Sequence, residues 1–256
     1  MATAFCIEIA TSDYATTAAA VRGGADRIEL CANLGEGGTT PSYGTIATCR
    51  EAFSTPLYPI IRPRGGDFLY IDEEHEVMLK DIAMCKQIGC DGIVIGGLQK
   101  DGNIDLQRVA LWVEKAYPLK VTFHRAFDRC RDPFLALEQL IEAGCERILT
   151  SGLQPQAMAG AALIQQLQEA ARNRIIIMPG SGVRQDTILP LAQKTGCTEF
   201  HASLRSTIAS LMAFKNPDFV QSSDSYQNNY IDEAAVRLLK KTIMEYAANS
   251  VKKESN

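Results

Sequence analysis

Gly24-Ala25-Asp26-Arg27-Ile28, Gly89-Cys90-Asp91-Gly92-Ile93, Gly144-Cys145-Glu146-Arg147-Ile148 and Gly196-Cys197-Thr198-Glu199-Phe200 share one grammar: a glycine, a small residue, a polar residue, one further residue and then the start of an apolar run. Each glycine ends a stretch with helical spacing of apolar residues, where a C′ glycine belongs, and each apolar run has the length of a strand. The glycines lie 65, 55 and 52 residues apart, room for two strand-plus-helix units per interval. Further apolar runs over 57–61, 120–123 and 175–178, with 5–9 at the start, bring the number of short strands to eight. Helical spacing over 15–22, 43–53, 72–88, 106–116, 133–143, 157–172 and 187–195 fills the gaps between them, with Pro133 suited to a first turn. After the eighth strand a polar stretch over 216–230 precedes an amphipathic helix over 232–248, with Ala235, Leu238, Leu239, Ile243 and Tyr246 as its expected buried stripe.

Eight alternating units in 256 residues have the size and order of a single (β/α)8 TIM barrel, expected over about 5–215, with a C-terminal extension and extra helix over 216–248. The competing architecture is a doubly wound open sheet. It would normally have fewer strands and one crevice at a switch point, whereas polar or glycine-rich residues follow almost every strand here.

Composition narrows the function classes. With 26 Lys and Arg against 30 Asp and Glu, the net charge is −4, and the chain has no concentrated basic face for nucleic acid before the modest Lys252-Lys253 pair. The longest uncharged stretch, 148–168, is too rich in Gln, Gly and Ser for hydrocarbon. Glu8 and Asp13 sit where the apolar core of a signal peptide would be, so a cytoplasmic protein with no membrane partner is expected. The eight cysteines follow no framework spacing and are expected as free thiols.

In a barrel, function belongs to the C-terminal ends of the strands. Strand side chains alternate and the outer face must be apolar against the helices, so the polar member of each alternation points inward. That rule sends Cys6 and Glu8 of strand one, Arg27 and Glu29 of strand two, Thr122 and His124 of strand five, and Glu199 and His201 of strand eight to the interior. Cys31 follows at the rim of strand two. Strand three delivers Arg62 and then Arg64, strand five continues into Arg125 and Asp128, and strand six ends in Thr150-Ser151-Gly152. Strand seven runs into Gly180-Ser181-Gly182 before a helix, the position where many barrels cradle a phosphate with backbone N–H groups.

Two readings of this convergence stand side by side. A purely structural one pairs Glu8 and Glu29 with Arg62 and Arg125 in an internal salt-bridge network, makes the glycine loop a tight turn, and leaves His124 and His201 as core histidines. A functional one is an anionic small-molecule site. There Arg62, Arg64, Arg125, His201 and the turn Gly180, Ser181 and Gly182 hold the anion, and Glu8, Glu29 or His124 exchange protons. Asp128 then orients His124 or Arg125. For metals, no CxxC, HxH or HExxH spacing is present. Cys90, Cys145 and Cys197 occupy the small-residue slot of the repeat and read as packing residues, which leaves Cys6, Cys31 and Cys130 as candidate thiol ligands, Cys31 foremost.

The blocks Gly24 to Cys31 with Glu36-Gly37-Gly38-Thr39-Thr40-Pro41-Ser42, Ile61-Arg62-Pro63-Arg64-Gly65-Gly66-Asp67-Phe68, Thr122-Phe123-His124-Arg125-Ala126-Phe127-Asp128, Ile148 to Gly152, Gly180 to Val183 and Glu199 to Ser203 closely resemble, in order, those of the CutC family, named for copper homeostasis. The resemblance spans about 5–205, with a weaker echo from Ser222-Ser223-Asp224 to Asp232. It implies a cytoplasmic TIM barrel, a homo-oligomer built on dimers, and a copper-binding or trafficking role, with cysteine ligation carried over to Cys31 and His124 or His201 as possible further ligands. The alternative kept beside it is a lyase- or isomerase-like enzyme acting on a phosphorylated or carboxylated metabolite at the barrel mouth.

Overall fold

The structure, a computed structural model, describes residues 5–216, 218 and 226–254. The echo at Ser222-Ser223-Asp224 lies outside the described residues. Eight parallel strands alternate with helices: β1 (Cys6–Thr11), α1 (Tyr14–Gly23), β2 (Arg27–Leu30), α2 (Tyr43–Ala52), β3 (Leu57–Pro59), α3 (Asp72–Ile88), β4 (Gly92–Ile95), α4 (Leu106–Ala116), β5 (Lys120–Phe123), α5 (Pro133–Glu142), β6 (Arg147–Thr150), α6 (Ala161–Ala171), β7 (Ile176–Pro179), α7 (Gln185–Thr195) and β8 (Glu199–Ala202). Hydrogen bonding orders them as β3-β2-β1-β8 and β4-β5-β6-β7. The two halves join where Ile60 bridges Val94 and Ile61 N donates to Val94 O at 2.7 Å, and β7 lies beside β8 to complete the circle. This is the (β/α)8 barrel.

The local reasons are those in the sequence. Asp13 opens α1 with a capping box, its carboxylate accepting from Thr16 N at 2.8 Å while Asp13 N donates to Thr16 Oγ1 at 3.1 Å. Asp132 caps α5 in front of Pro133, accepting from Phe134 N and Leu135 N. The four repeat glycines all have the left-handed backbone that a helix end requires, with φ of 93, 83, 84 and 68° at Gly24, Gly89, Gly144 and Gly196. The small residues after them, Ala25, Cys90, Cys145 and Cys197, are buried as packing residues.

The outward strand residues Ile7, Ile9, Ile28, Leu30, Ile93, Ile95, Phe123, Ile148, Ile177 and Phe200 are all buried against the helices, where Ile46, Met78, Ile82, Trp112, Leu137, Leu140, Ile164, Leu167 and Leu191 meet them. Each such side chain contributes about 1.5–3 kcal/mol of burial. The alternation therefore fixes which strand face turns inward.

Three elements differ from expectation. First, α6 starts at Ala161 rather than 157, because the backbones of Gly152 and Gly160 pack together before it; a Cβ on Gly160 would lie 2.0 Å from Ser151 O. Second, the stretch after β8 forms an antiparallel hairpin, β9 (Arg205–Ala209) paired with β10 (Gln227–Ile231), which period-2 patterning missed because its residues are polar and mostly exposed. Third, the last helix, α8 (Glu233–Glu254), buries Val236, Leu239, Ile243 and Ala247, while Leu238 faces out and Ala235 and Tyr246 are half-buried. Gly23 on α1 lets α8 approach: a Cβ there would meet Val236 Cβ at 2.5 Å. Lys240 also pairs with Asp26, whose carboxylate accepts from Ile7 N, tying α8 to the start of β1 and β2. Among the described residues no helix is long and apolar enough to cross a membrane.

Candidate functional site

Strand register assembles the barrel interior. On β1, Glu8 stands in register with Arg27 of β2 on one side and His201 of β8 on the other. Arg27 Nε donates to Glu8 Oε2 at 2.5 Å and Arg27 Nη2 to Glu199 Oε2 at 2.7 Å, while Arg147 Nε donates to the same Glu199 oxygen at 2.7 Å. Arg147 also reaches Thr122 Oγ1 at 3.2 Å. A salt-bridge network does fill the barrel, but its cations are Arg27 and Arg147, not Arg62 and Arg125. Arg147, at the start of β6, is the inward member of the same alternation, with Ile148 outward against the helices.

Above this layer the charges are less balanced. His201 Nδ1 lies 2.7 Å from Glu8 Oε1, and its Nε2 lies 3.7 Å from Glu29 Oε2. Burial opposes ionisation of Glu8, but Arg27 and His201 outweigh it and hold this carboxyl well below the usual range. Burial pushes Glu29 up, against the pull of His201. His201 itself is raised, because Glu29 and Glu8 overcome the burial that disfavours its charge.

The cavity at the C-terminal mouth has a volume of about 730 Å³ and is lined by Glu29, Arg62, Phe68, His124, Arg125, Asp128, Ser181, Gly182, His201 and several residues that the sequence reading had not singled out. That size falls within the range of roughly 300–1,000 Å³ of small-molecule sites. Arg62 stacks on Phe68 with its guanidinium 4.8 Å from the ring, and it spends Nη1 on Glu36 O and Gly38 O and Nη2 on Gly66 O. It organises the loops after β2 and β3, and only its buried Nε lacks an acceptor. Arg125 donates to Asp128 Oδ2 at 2.7 Å and to Ser151 Oγ at 2.9 Å.

Several expected roles change. Arg64 does not line the mouth: it turns back to Glu74 at 2.5 Å and Leu69 O at 2.8 Å, because the acidic first turn of α3 lies in its reach. Asp128 does not reach His124. It binds Arg125, Thr150 Oγ1 at 2.6 Å and Ser151 N at 2.9 Å, so of the two roles left open only the orientation of Arg125 is realised. Gly180 sits under the mouth, its N–H on Thr150 O, and leaves the lining to Ser181 and Gly182. Cys31, expected at the rim, is buried among Tyr58, Ile60 and Val94, its Sγ 3.5 Å from Glu29 Oε2. Burial and the Glu29 charge push this thiol well up, so it stays protonated until a metal displaces the proton. Cys6 and Cys130 are likewise pushed up to about 12, chiefly by burial.

His124 is the most distinctive side chain of the mouth. It is only 4% exposed, and Nδ1 accepts from Ala126 N at 3.1 Å, which leaves the proton of the neutral ring on Nε2. Among the described residues Nε2 has no hydrogen-bond partner. Burial, aided by the charge of Arg62, pushes the imidazole down to about 3. Gly96 makes room for the ring, since a Cβ there would lie 2.2 Å from His124 Cε1.

The residues missed are Arg129, Arg184 and Arg205, all lining the cavity. Arg184 follows the Gly-Ser-Gly-Val turn and Arg205 stands two places after Ser203, so position next to a strand-end loop was the available signal.

Fold and site together define a TIM barrel with a charged interior and an arginine-rich mouth. The model of the CutC family matches residues 5–206, and the chain belongs to that family. It is 45% identical over 240 residues to the "family protein CutC" of Chromobacterium violaceum, covering 93% of this chain and 97% of that one. It is 44% identical over 242 residues to the human "Copper homeostasis protein cutC homolog", covering 93% and 89%. Among solved structures, the putative copper homeostasis protein CutC from Streptococcus agalactiae superposes with a TM-score of 0.75 at 32% identity, covering 78% of this chain and 98% of that one. An aldolase, QR15, superposes with a TM-score of 0.57 at 13% identity over 77% of this chain and 89% of its own, a likeness of fold alone.

Proposed function

We propose that this chain acts in copper homeostasis, the role for which its human and mouse relatives are named, by binding copper on the inner wall of the mouth at Glu29 and His201 with Glu8 behind them. The observation that carries this reading is the cluster of Glu8, Glu29 and His201, whose ligand atoms all lie within 4.8 Å of one another. Glu8 on His201 Nδ1 is the arrangement by which a carboxylate orients a ligating imidazole, leaving Nε2 and the Glu29 oxygens for an ion. Imidazole and carboxylate suit Cu(II) better than Cu(I), and the softer Cys31 sulfur stands next to Glu29.

The test is titration of the reduced protein with Cu(II) and Cu(I) against a competing chelator. The expected result is one copper per chain, held at least about 10–100-fold more weakly in His201→Ala, since even the loss of a ligand's orienting partner typically costs that much. Cys31→Ser is expected to weaken Cu(I) and leave Cu(II) unchanged. Equal copper affinity in wild type, His201→Ala and Cys31→Ser would overturn the reading.

The same reading takes the protein as cytoplasmic and homodimeric. In support, all eight cysteines are free thiols, and Ile208, Leu211, Met212 and Phe214 present an exposed apolar surface in and beyond β9 that a second copy would cover.

A further inference from the structure

We propose that the outer part of the mouth binds a small phosphorylated compound, its phosphoryl group on the loops after β7 and β8 with Arg184 and Arg205, and a carbonyl or hydroxyl oxygen of its other end on His124 Nε2. This goes beyond copper handling and uses residues outside the Glu8, Glu29 and His201 cluster. The loop after β7 enters α7 through two consecutive left-handed residues, Ser181 and Gly182, with φ of 75 and 76°. The loop after β8 turns the same way at Leu204, with φ of 45°. Among the described residues, the backbone N–H groups of Ser181, Gly182, Val183, Ser203 and Leu204 have no protein acceptor. All five residues line the cavity.

Arg184 and Arg205 line it too, both exposed and without an acidic partner among the described residues. In a chain of net charge −4, this is a local concentration of positive charge beside amides at a helix start. A phosphoryl dianion needs several donors at once, and the two loops with the two arginines supply them.

The independent observation is His124. A buried N–H without a partner carries a desolvation penalty, which a ligand oxygen in the cavity would remove. The ring is neutral, so Nε2–H is a fixed donor suited to a carbonyl or hydroxyl oxygen rather than to a second full anion. The ligand class that uses both ends is a phosphate monoester with an oxygen function, such as a short sugar phosphate.

The test is calorimetric titration of the full-length, metal-free protein at low salt with inorganic phosphate and with ribose 5-phosphate. Ribose 5-phosphate is expected to bind at least about tenfold more tightly than phosphate, the factor for one well-placed hydrogen bond of about 1.4 kcal/mol. Arg184→Gln with Arg205→Gln is expected to weaken both ligands about tenfold or more. Both residues are exposed, so the variant is expected to fold, and thermal unfolding alongside checks that it does. His124→Leu is expected to abolish the preference for the ester while leaving phosphate binding in place. The proposal is overturned if neither ligand binds better than chloride at matched ionic strength, or if the arginine variant binds both as wild type does. Equal affinity for the two ligands in wild type removes the His124 contact and reduces the site to free phosphate. Copper titration of the arginine variant, expected to match wild type, keeps this outcome separate from the copper site at Glu29 and His201.

Discussion

Arg27→Ala is expected to destabilise the barrel by about 3–5 kcal/mol, the usual consequence of removing one partner of a buried ion pair. For a chain of this length that is a Tm lower by roughly 6–20 °C. Arg27 is the only guanidinium that touches both Glu8 and Glu199 among the described residues. Glu8 has no solvent exposure at all, and without Arg27 it keeps only the His201 imidazole as a direct partner. Glu199 fares better, since Arg147 holds it from the other side. The destabilisation therefore comes chiefly from an uncompensated Glu8 carboxylate. The double variant Arg27→Met with Glu8→Gln, which removes both charges and fills the volume, is expected to regain a substantial part of the loss. Urea unfolding of the three proteins decides it. A single variant within about 1 kcal/mol of wild type would mean that the interior charges are solvated rather than mutually dependent.

The second large effect is a pH dependence of stability that belongs to one residue. In the folded protein His124 is pushed down to about 3 by burial, with Arg62 adding to it, whereas in the unfolded chain it titrates near 6.5. Between those values the unfolded state carries a proton that the folded state lacks, so stability falls as the pH is lowered from 6.5 towards 3 and is fully present above 6.5. The slope is about 1.4 kcal/mol per pH unit, so wild type is expected to lose about 2 kcal/mol more than His124→Gln between pH 7 and pH 5. Other titrating groups are common to both proteins and cancel in the difference. Parallel stability curves over this range would show that the ring accepts a proton in the folded state, and with it that His124 is not the fixed neutral donor of the mouth.

The two effects come from different levels of the barrel. In the lower layer Arg27, Arg147, Glu199 and Glu8 Oε2 are closed upon one another through short hydrogen bonds, while Glu8 Oε1 reaches up to His201. The upper layer of Glu29, His124, His201 and the loop arginines retains unmet donors and shifted carboxyl and imidazole groups, the usual mark of a working site.

The features legible in the residues alone are local. The repeat glycines fixed the helix ends because a C′ position tolerates a left-handed backbone best at glycine, and the apolar alternation of each strand fixed which side chains face the helices. From those two rules follow the eight units and the inward direction of Glu8, Arg27, Glu29, Glu199 and His201. Partnership, by contrast, depends on how the barrel closes. Glu8 and His201 are 193 residues apart and meet because closure of the barrel sets β1 against β8 in one register. Arg64 shares a block with Arg62 yet leaves the mouth, because Glu74 of α3 stands within reach of its guanidinium. Arg184 and Arg205, ordinary loop residues in the sequence, enter the mouth because the turns after β7 and β8 bend over it. Periodicity sets the face of an element, but the stagger of the closed sheet sets which faces meet, and no local pattern encodes that stagger.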